Sequence, residues 1–310
     1  MSTNDASTAG GSTVTMDDGV KLHVKILGDG DGSASRPLLI SLHGAPGLST
    51  HLEPTASYTF LSSVYRVLVY DGRGSGASDH VGPYSHERWI NDIENLRKFY
   101  GAEKFVLAGA SYGAFIALDY AIKHGDRLDG LILRGAWANG KVGPMAVLSK
   151  ILTSDKVQVD AARQVRLWSG TLLNDQDFED AIMELLPFYA PPPNPNIPDD
   201  QDIPESTEFQ GTVKYHSSTQ NYAFNVNMPR FDVRDQLKTI KIIKAPTFLV
   251  VGRHDNVTPV EASQDIASKI PRATLEIFEY SGHSPPSDEP KKFEASLANW
   301  LKAEGLPSTD

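Results

Sequence analysis

A serine between glycines stands where an apolar strand meets a helix. Gly109-Ala110-Ser111-Tyr112-Gly113 follows the apolar run 105–108 and precedes the apolar, helix-like run 114–122. A sharp corner of this kind pushes the central side chain out of the sheet edge, and small flanking residues let the backbone make the turn. We therefore expect the Ser111 hydroxyl to be presented as a nucleophile.

A serine nucleophile needs a histidine base and a carboxylate that orients the histidine. Asp255 follows the buried strand-like run 247–251, and His283 follows the run 274–280. The carboxyl ends of parallel strands meet at one edge of an open sheet, so these side chains should converge with Ser111 despite their distance in sequence. The chain order Ser, Asp, His is the order known for triads on such sheets, and the sequence predicts a catalytic triad.

Each of these residues also has a simpler interpretation. Ser111 could serve only as a helix N-cap, Asp255 as a turn residue ahead of a helix, and His283 as the end of a strand. His254 is a rival base, but it neighbours Asp255 in sequence and is poorly placed to be oriented by it while reaching Ser111. The conjunction of three strand ends in the required order favours the triad, with His283 as its base.

Acyl transfer also needs hydrogen-bond donors for the oxyanion of the tetrahedral intermediate. The backbone amide of Tyr112, directly after the nucleophile, is one predicted donor. The other is the amide of Ala45, in the loop His43-Gly44-Ala45-Pro46-Gly47 that follows the strand-like run 37–42. Such a mechanism needs no cofactor and no metal, and we expect neither.

A second glycine-rich segment, Asp71-Gly72-Arg73-Gly74-Ser75-Gly76, invites comparison with a phosphate-binding loop. It lacks the Gly-Lys-Ser/Thr ending of that motif. It also does not form the first strand-to-helix turn of the predicted sheet. We interpret it as a tight structural turn.

The elements that must position these residues alternate between strand-like and helix-like patterns, which predicts an α/β fold with a mainly parallel sheet and flanking helices. Eight strands are expected, at 13–16, 21–27, 37–42, 65–70, 105–108, 128–133, 247–251 and 274–280. After the sixth strand, strand signals stop, and helical stretches appear at 145–152, 159–168 and 177–186. The sequence therefore predicts a flexible tail at 1–12, a core at 13–135 and 240–303, and a helical cap at 136–239.

The composition excludes several classes of binding partner and of reactive site. The 310 residues carry a net charge of -10 and no cluster of Lys and Arg, which argues against a nucleic acid or an anionic membrane as partner. The absence of cysteine excludes thiolate metal sites and cysteine nucleophiles. Neither a signal peptide nor a membrane span is visible, so a cytoplasmic protein acting on a small molecule or short peptide is expected. The sequence gives no oligomeric state.

Taken in order, these loops resemble the α/β-hydrolase superfamily, and within it the proline iminopeptidases. The more specific part of the likeness is the His-Gly-x-Pro-Gly loop followed by Asp-x-Arg-Gly-x-Gly. The resemblance covers about 13–135 and 240–301, whereas the predicted cap matches less well. It implies that Ser111, Asp255 and His283 form the triad, and that Ala45 and Tyr112 form the oxyanion hole.

The predicted cap departs from the family at the place where family carboxylates hold the free amino group of the substrate. The similar segment here contains Gln220, Asn221 and Ala223 but no acid. A buried amine without a partner charge is costly, so recognition of a free N-terminus would require another acid. The acids that could take this part are Glu205, Glu208 and Asp232. The aromatic residues expected to bind substrate are Trp137, Trp168, Tyr222 and Phe224, although any of them could belong to the cap's own core.

The leading hypothesis is therefore a serine hydrolase that resembles proline iminopeptidases and cleaves a small amide or ester. Lactone or ester hydrolysis and carbon-carbon bond hydrolysis of a small apolar metabolite use the same triad and stay open. A ligand receptor on the same fold is the non-catalytic alternative. Epoxide and haloalkane hydrolases are excluded because those relatives need an aspartate at the position of Ser111.

Overall fold

One mainly parallel sheet organises the chain. The computed structural model describes residues 11–28, 35–193, 213–238 and 243–309, and within these ranges eight strands lie in the order β1-β2-β4-β3-β5-β6-β7-β8. The strands are β1 Ser12–Thr15, β2 Lys21–Leu27, β3 Leu38–Leu42, β4 Arg66–Tyr70, β5 Phe105–Ala110, β6 Leu128–Arg134, β7 Thr247–Gly252 and β8 Ala273–Phe278. β2 pairs antiparallel with β1 and β4, and the other pairs are parallel. The predicted eight-stranded, mainly parallel sheet is confirmed.

Helices cover both faces of the sheet, as the uninterrupted apolar strands require. Leu39, Val67 and Val106 point to one face, where they pack with residues of α1 and α11. Ile40 and Leu107 point to the other face and pack with α2 and α3. The helices outside the segment between β6 and β7 are α1 Leu52–Tyr58, α2 His86–Phe99, α3 Tyr112–His124, α9 Val260–Ala267, α10 Pro285–Asp288 and α11 Pro290–Ala303.

Helix α2 illustrates how the sequence sets an element and where the pattern fails. Ser85 is its N-cap, and the Ser85 Oγ accepts a hydrogen bond from the Arg88 amide at 3.1 Å. Its apolar residues at helical spacing are buried up to Leu96, but Phe99, expected on the same face, is 61% exposed. Phe99 is the last residue of the helix, and the chain turns away directly after it at Gly101, which has a φ of +67°.

Between β6 and β7 the described chain is helical. The helices are α4 Val142–Thr153, α5 Ala161–Ser169, α6 Asp175–Tyr189, α7 Ser217–Tyr222 and α8 Arg234–Lys238, and a π-helical turn, Ala223–Asn227, continues α7. The three helices predicted in this segment are confirmed, whereas α7 and α8 were not predicted. Ser12, assigned to the tail from the sequence, is the first residue of β1. The division into core and cap stays a prediction.

Helix α7 and its flanks are fixed against the loops at the carboxyl ends of the strands. The His216 amide donates to the Gly47 carbonyl at 2.8 Å, and the Thr219 Oγ1 donates to the Gly74 carbonyl at 2.9 Å. Both glycines have positive φ, and a Cβ on either would lie 2.4 Å from an atom of this segment. The close approach therefore depends on glycine at 47 and 74.

Among the helices in the described ranges, none combines the length and hydrophobicity needed to cross a bilayer.

Candidate active site

Ser111 occupies the corner between β5 and α3. Its φ of 50° and ψ of -118° make it the one non-glycine residue with positive φ in the described part of the chain. Its amide donates to the Arg134 carbonyl at 2.8 Å, which ties the corner to the end of β6. Unlike Ser85, Ser111 makes no capping hydrogen bond with its side chain, so the helix N-cap interpretation is not supported. Strain of this kind concentrates at functional sites.

The two glycines that flank Ser111 are required by sterics. A Cβ at Gly109 would lie 2.4 Å from the Gly113 carbonyl oxygen. A Cβ at Gly113 would lie 2.4 Å from the His43 carbonyl oxygen and 2.9 Å from the Leu42 Cβ. The first glycine therefore lets the chain fold back onto the helix, and the second lets α3 approach β3.

Asp255 and His283 are brought together from the ends of β7 and β8. The His283 Nδ1 lies 2.8 Å from the Asp255 Oδ2, and both residues are buried. The Asp255 Oδ1 accepts hydrogen bonds from the amides of Val257 and Thr258 at 2.8 and 2.7 Å, and the Oδ2 accepts one from the Thr258 Oγ1 at 2.6 Å. Burial by itself would raise the pKa of Asp255, but the charge of His283 and these hydrogen bonds lower it below its usual value. Asp255 is therefore an anion that holds the Nδ1 side of the imidazole.

Two contacts locate the His283 ring at the same sheet edge as Ser111. Gly135 follows Arg134, whose carbonyl accepts the Ser111 amide. A Cβ placed on Gly135 would lie 3.5 Å from the His283 Cε1. Tyr189 lines the same cavity as Ser111, and its ring meets the His283 ring edge-on with centroids 5.1 Å apart. The Tyr189 carbonyl also accepts the His283 amide at 3.1 Å.

His254 is placed differently. Its amide donates to the Ser281 carbonyl, and the residue borders a polar groove with Lys150, Lys156 and Arg253. The Asp255 carboxylate instead holds the His283 Nδ1, which favours His283 over His254 as the base.

The residues predicted to supply the oxyanion donors share a cavity with Ser111. Ala45 and Tyr112 line the same cavity as the serine. Tyr112 is the first residue of α3, where backbone N–H groups lack a partner within the helix. The Ala45 loop is held from two sides, because the Gly47 amide donates to the Ser75 Oγ at 2.8 Å and the Gly72 amide donates to the His43 Nε2 at 2.9 Å.

The cavity around Ser111 is predominantly apolar. Of the residues predicted to bind substrate, Trp137, Trp168 and Phe224 line it. Tyr222 does not, and its ring instead meets Tyr84 edge-on at 6.2 Å. The other lining residues are Pro46, Phe115, Leu167, Ile182, Tyr189, Gln220 and Val257.

Gln220 was noticed in the sequence only as the place where an acid is lacking. Helix α7 passes into a π-helical turn at Ala223, so the α-helical period offered no signal that Gln220 would line the cavity together with Phe224.

No charged side chain is among the described residues that line this cavity. Asp232, one of the acids considered for binding a substrate amine, is engaged elsewhere. Its carboxylate accepts hydrogen bonds from the Arg234 Nε at 2.8 Å and from the Asn139 Nδ2 at 2.7 Å. Glu205 and Glu208 lie outside the described residues.

A buried charge network lies behind the corner that carries Ser111. Arg134 pairs with Glu53, and both side chains are at least nine-tenths buried. Asp288 accepts a hydrogen bond from the Gly282 amide at 2.9 Å, directly before His283. Burial raises the pKa of Asp288 to about 6.

One cluster in the described chain has the composition of a metal site. The donor atoms of His23, His51 and Asp71 lie within 4.8 Å of one another. The Asp71 carboxylate, however, already accepts the His51 amide at 2.7 Å and the Ala77 amide at 2.8 Å, and the His51 Nδ1 lies 2.8 Å from it. These hydrogen bonds describe a structural turn, as predicted for this segment.

Comparisons with known proteins agree with the fold. A family model described as alpha/beta hydrolase fold matches residues 37–290. The chain is 29% identical to the proline iminopeptidase PfmaB of Pestalotiopsis fici over 271 residues, covering 86% of this chain and 90% of that protein. It is 30% identical to a proline iminopeptidase of Saccharolobus solfataricus over 270 residues, covering 82% and 81%. Among solved structures, an alpha/beta fold family hydrolase from Bacillus anthracis superposes with a TM-score of 0.67 at 22% identity, covering 94% and 99% of the two chains.

Proposed function

The chain belongs to the α/β-hydrolase family and is a hydrolase, and we propose that it acts through an acyl-enzyme on Ser111 with a Ser-His-Asp triad. The observation that carries the proposal is the buried contact between the His283 Nδ1 and the Asp255 Oδ2, at the sheet edge where Ser111 is held in a strained corner. A catalytic triad explains three unusual features together. They are the positive φ of Ser111, the buried and ionised carboxylate of Asp255, and the fixed orientation of His283 against that carboxylate.

In the proposed mechanism the Ser111 Oγ attacks the carbonyl carbon of the substrate, and the His283 Nε2 takes the hydroxyl proton. Asp255 stabilises the imidazolium that forms. The amides of Ala45 and Tyr112 donate hydrogen bonds to the oxyanion, each contributing about 3 kcal/mol to the transition state. The intermediate collapses when His283 gives its proton to the leaving group. Water, activated by the same imidazole, then releases the acyl group from Ser111.

The cavity favours a small substrate whose acyl part is neutral. Its aromatic walls include Trp137 and Trp168, and the described lining contains no charged side chain. An ammonium group buried against these walls without a counter-charge would cost several kcal/mol. An ester or lactone with a neutral acyl group therefore fits the described cavity.

A proline iminopeptidase activity is the second candidate. It is favoured by the names of the relatives, which match across four-fifths or more of both chains at 29% and 30% identity. It requires a carboxylate for the substrate amine, and Glu205 or Glu208 would have to supply it.

Labelling with a fluorophosphonate tests the nucleophile. We expect one adduct that mass spectrometry maps to Ser111 and that Ser111→Ala abolishes. Ser85→Ala is the matched control, because Ser85 also precedes a helix but uses its side chain as a cap. Labelling that survives Ser111→Ala would contradict the proposal. Turnover of p-nitrophenyl butyrate compared with a prolyl amide then separates the two candidates, and cleavage of the prolyl amide alone would establish the iminopeptidase.

A further inference from the structure

Two residues that line the cavity each carry a buried polar atom with no hydrogen-bond partner among the described residues. These atoms are the Oε1 of Gln220 and the Nε1 of Trp168, which belong to side chains 4% and 5% exposed. Both residues line the cavity that contains Ser111. Unpaired buried polar atoms are uncommon in folded proteins, because each has lost its hydrogen bonds to water without replacement. An acceptor and a donor left unpaired in the same cavity point to a ligand that supplies both partners.

The structure holds these two side chains in place. Asn221, next to Gln220, bridges α7 to the segment after α5: its Oδ1 accepts the Leu172 amide at 2.8 Å, and its Nδ2 donates to the Leu172 carbonyl at 2.9 Å. The Trp168 ring meets the Phe224 ring edge-on with centroids 5.7 Å apart. The two polar atoms therefore sit on elements that are fixed to each other, which suits a preformed subsite.

We propose that Gln220 and Trp168 form a polar subsite that selects substrates carrying a neutral group able both to donate and to accept a hydrogen bond, such as a hydroxyl or a secondary amide. The inference rests on the proposed function, since it concerns the substrate of Ser111. The Gln220 Oε1 accepts a hydrogen bond from the ligand, and the Trp168 Nε1 donates one to it.

The chemistry of the two atoms excludes the charged alternatives. An ammonium group can donate to the Gln220 Oε1 but offers no acceptor to the Trp168 Nε1, and the described lining supplies no counter-charge. A carboxylate can accept from Trp168 but has no proton for Gln220. A hydroxyl or secondary amide offers both a donor and an acceptor and stays neutral.

The chain contains a built-in control for the tryptophan. The Nε1 of Trp300 also lacks a hydrogen-bond partner in the described chain, and Trp300 is likewise 5% exposed. Its ring, however, stacks on Phe248 at 5.3 Å on the other face of the sheet, away from Ser111. Trp300→Phe thus removes the same atom without touching the cavity.

The test compares p-nitrophenyl esters of matched acyl chains: butyrate, 2-hydroxybutyrate, 3-hydroxybutyrate and 3-aminobutyrate. We expect kcat/KM for at least one hydroxy ester to exceed that for butyrate by about 5- to 100-fold, because a ligand hydroxyl satisfies two otherwise unpaired buried atoms. The amino ester should be the poorest substrate. Gln220→Met, which keeps the size of the side chain, and Trp168→Phe should each remove most of this preference. Trp300→Phe should retain it.

A second readout does not depend on turnover. In Ser111→Ala protein labelled with ¹⁵N, Trp168→Phe identifies the Trp168 indole N–H resonance and Trp300→Phe identifies the control resonance. Adding the preferred hydroxy ester should shift the Trp168 resonance and leave that of Trp300 unchanged. Butyrate ester at the same concentration should shift the Trp168 resonance less.

Two sets of results separate the subsite from the nucleophile. Equal kcat/KM for all neutral esters, a preference that persists in both Gln220→Met and Trp168→Phe, or a preferred amino ester would overturn the subsite while leaving the nucleophile intact. Absence of turnover and of fluorophosphonate labelling would overturn the proposed function. The shift of the Trp168 resonance would then decide the subsite by itself.

Discussion

The replacement Asp255→Asn probes the orientation of His283 without changing the shape of the site. The Asp255 carboxylate accepts four interactions: two backbone amides at Oδ1, and the Thr258 hydroxyl and the His283 Nδ1 at Oδ2. Asparagine has one carbonyl oxygen, and the two amides at 2.8 and 2.7 Å will keep it at the Oδ1 position. The new NH₂ group then faces His283.

This arrangement reverses the hydrogen bond to the imidazole. An asparagine N–H donates to the Nδ1, so His283 must carry its proton on Nε2, where it cannot accept the proton of Ser111. We expect kcat to fall by about 10⁴-fold, which corresponds to about 5 kcal/mol of transition-state stabilisation. KM should change little, because Asp255 is not among the described residues that line the cavity.

The assay is steady-state hydrolysis of p-nitrophenyl butyrate, with thermal unfolding to verify that the variant folds. Asp177→Asn is the matched control. Asp177 is also a buried carboxylate, paired with the Arg166 Nε at 2.8 Å, but it does not line the cavity. Its loss should lower stability and leave kcat within about threefold. A folded Asp255→Asn protein that loses less than tenfold in kcat would refute the proposed role of Asp255.

Three further predictions concern the corner, the base and the buried acid beside it. Gly113→Ala places a Cβ 2.4 Å from the His43 carbonyl oxygen, and denaturant titration should show a loss of about 3 kcal/mol or more; a loss below about 1 kcal/mol would contradict the packing described. His283→Ala should lower kcat by several orders of magnitude while His254→Ala stays near the parent activity, and the reverse result would identify His254 as the base. Asp288→Asn tests the acid whose pKa burial raises from 3.8 to about 6. Because the folded state favours the protonated acid, the parent protein loses stability as the pH rises through this range, and asparagine avoids that loss while still accepting the Gly282 amide. The variant should be more stable than the parent by up to about 3 kcal/mol at pH 8 and gain nothing below pH 4, as measured by thermal unfolding; an equal difference at both pH values would rule this out.

The sequence predicted the elements whose signals are local. Apolar runs identified central strands such as β5 and β7, which are buried on both faces of the sheet, whereas β1, β2 and β8 are partly exposed and only partly apolar. The corner at Ser111 could be predicted from Gly109 and Gly113, because a side chain at either position would clash with a backbone carbonyl.

The aromatic residues of the predicted cap were harder to assign. Phe224 lines the cavity as expected, but Tyr222 does not, and Gln220, which was not expected there, does. Helix α7 is only six residues long and polar, and a π-helical turn continues it, so the regular helical period does not tell which side chains face inward. Helix α7 is positioned by a tertiary contact, the hydrogen bond from the Thr219 Oγ1 to the Gly74 carbonyl. No local sequence pattern predicts this contact.

The most direct test of the central claim is rapid-quench mass spectrometry of the protein during hydrolysis of p-nitrophenyl butyrate. We expect a burst of p-nitrophenol accompanied by a butyryl adduct on the peptide that contains Ser111, and no adduct or burst in Ser111→Ala. Full turnover by Ser111→Ala, or an adduct that maps to another residue, would contradict the acyl-enzyme mechanism.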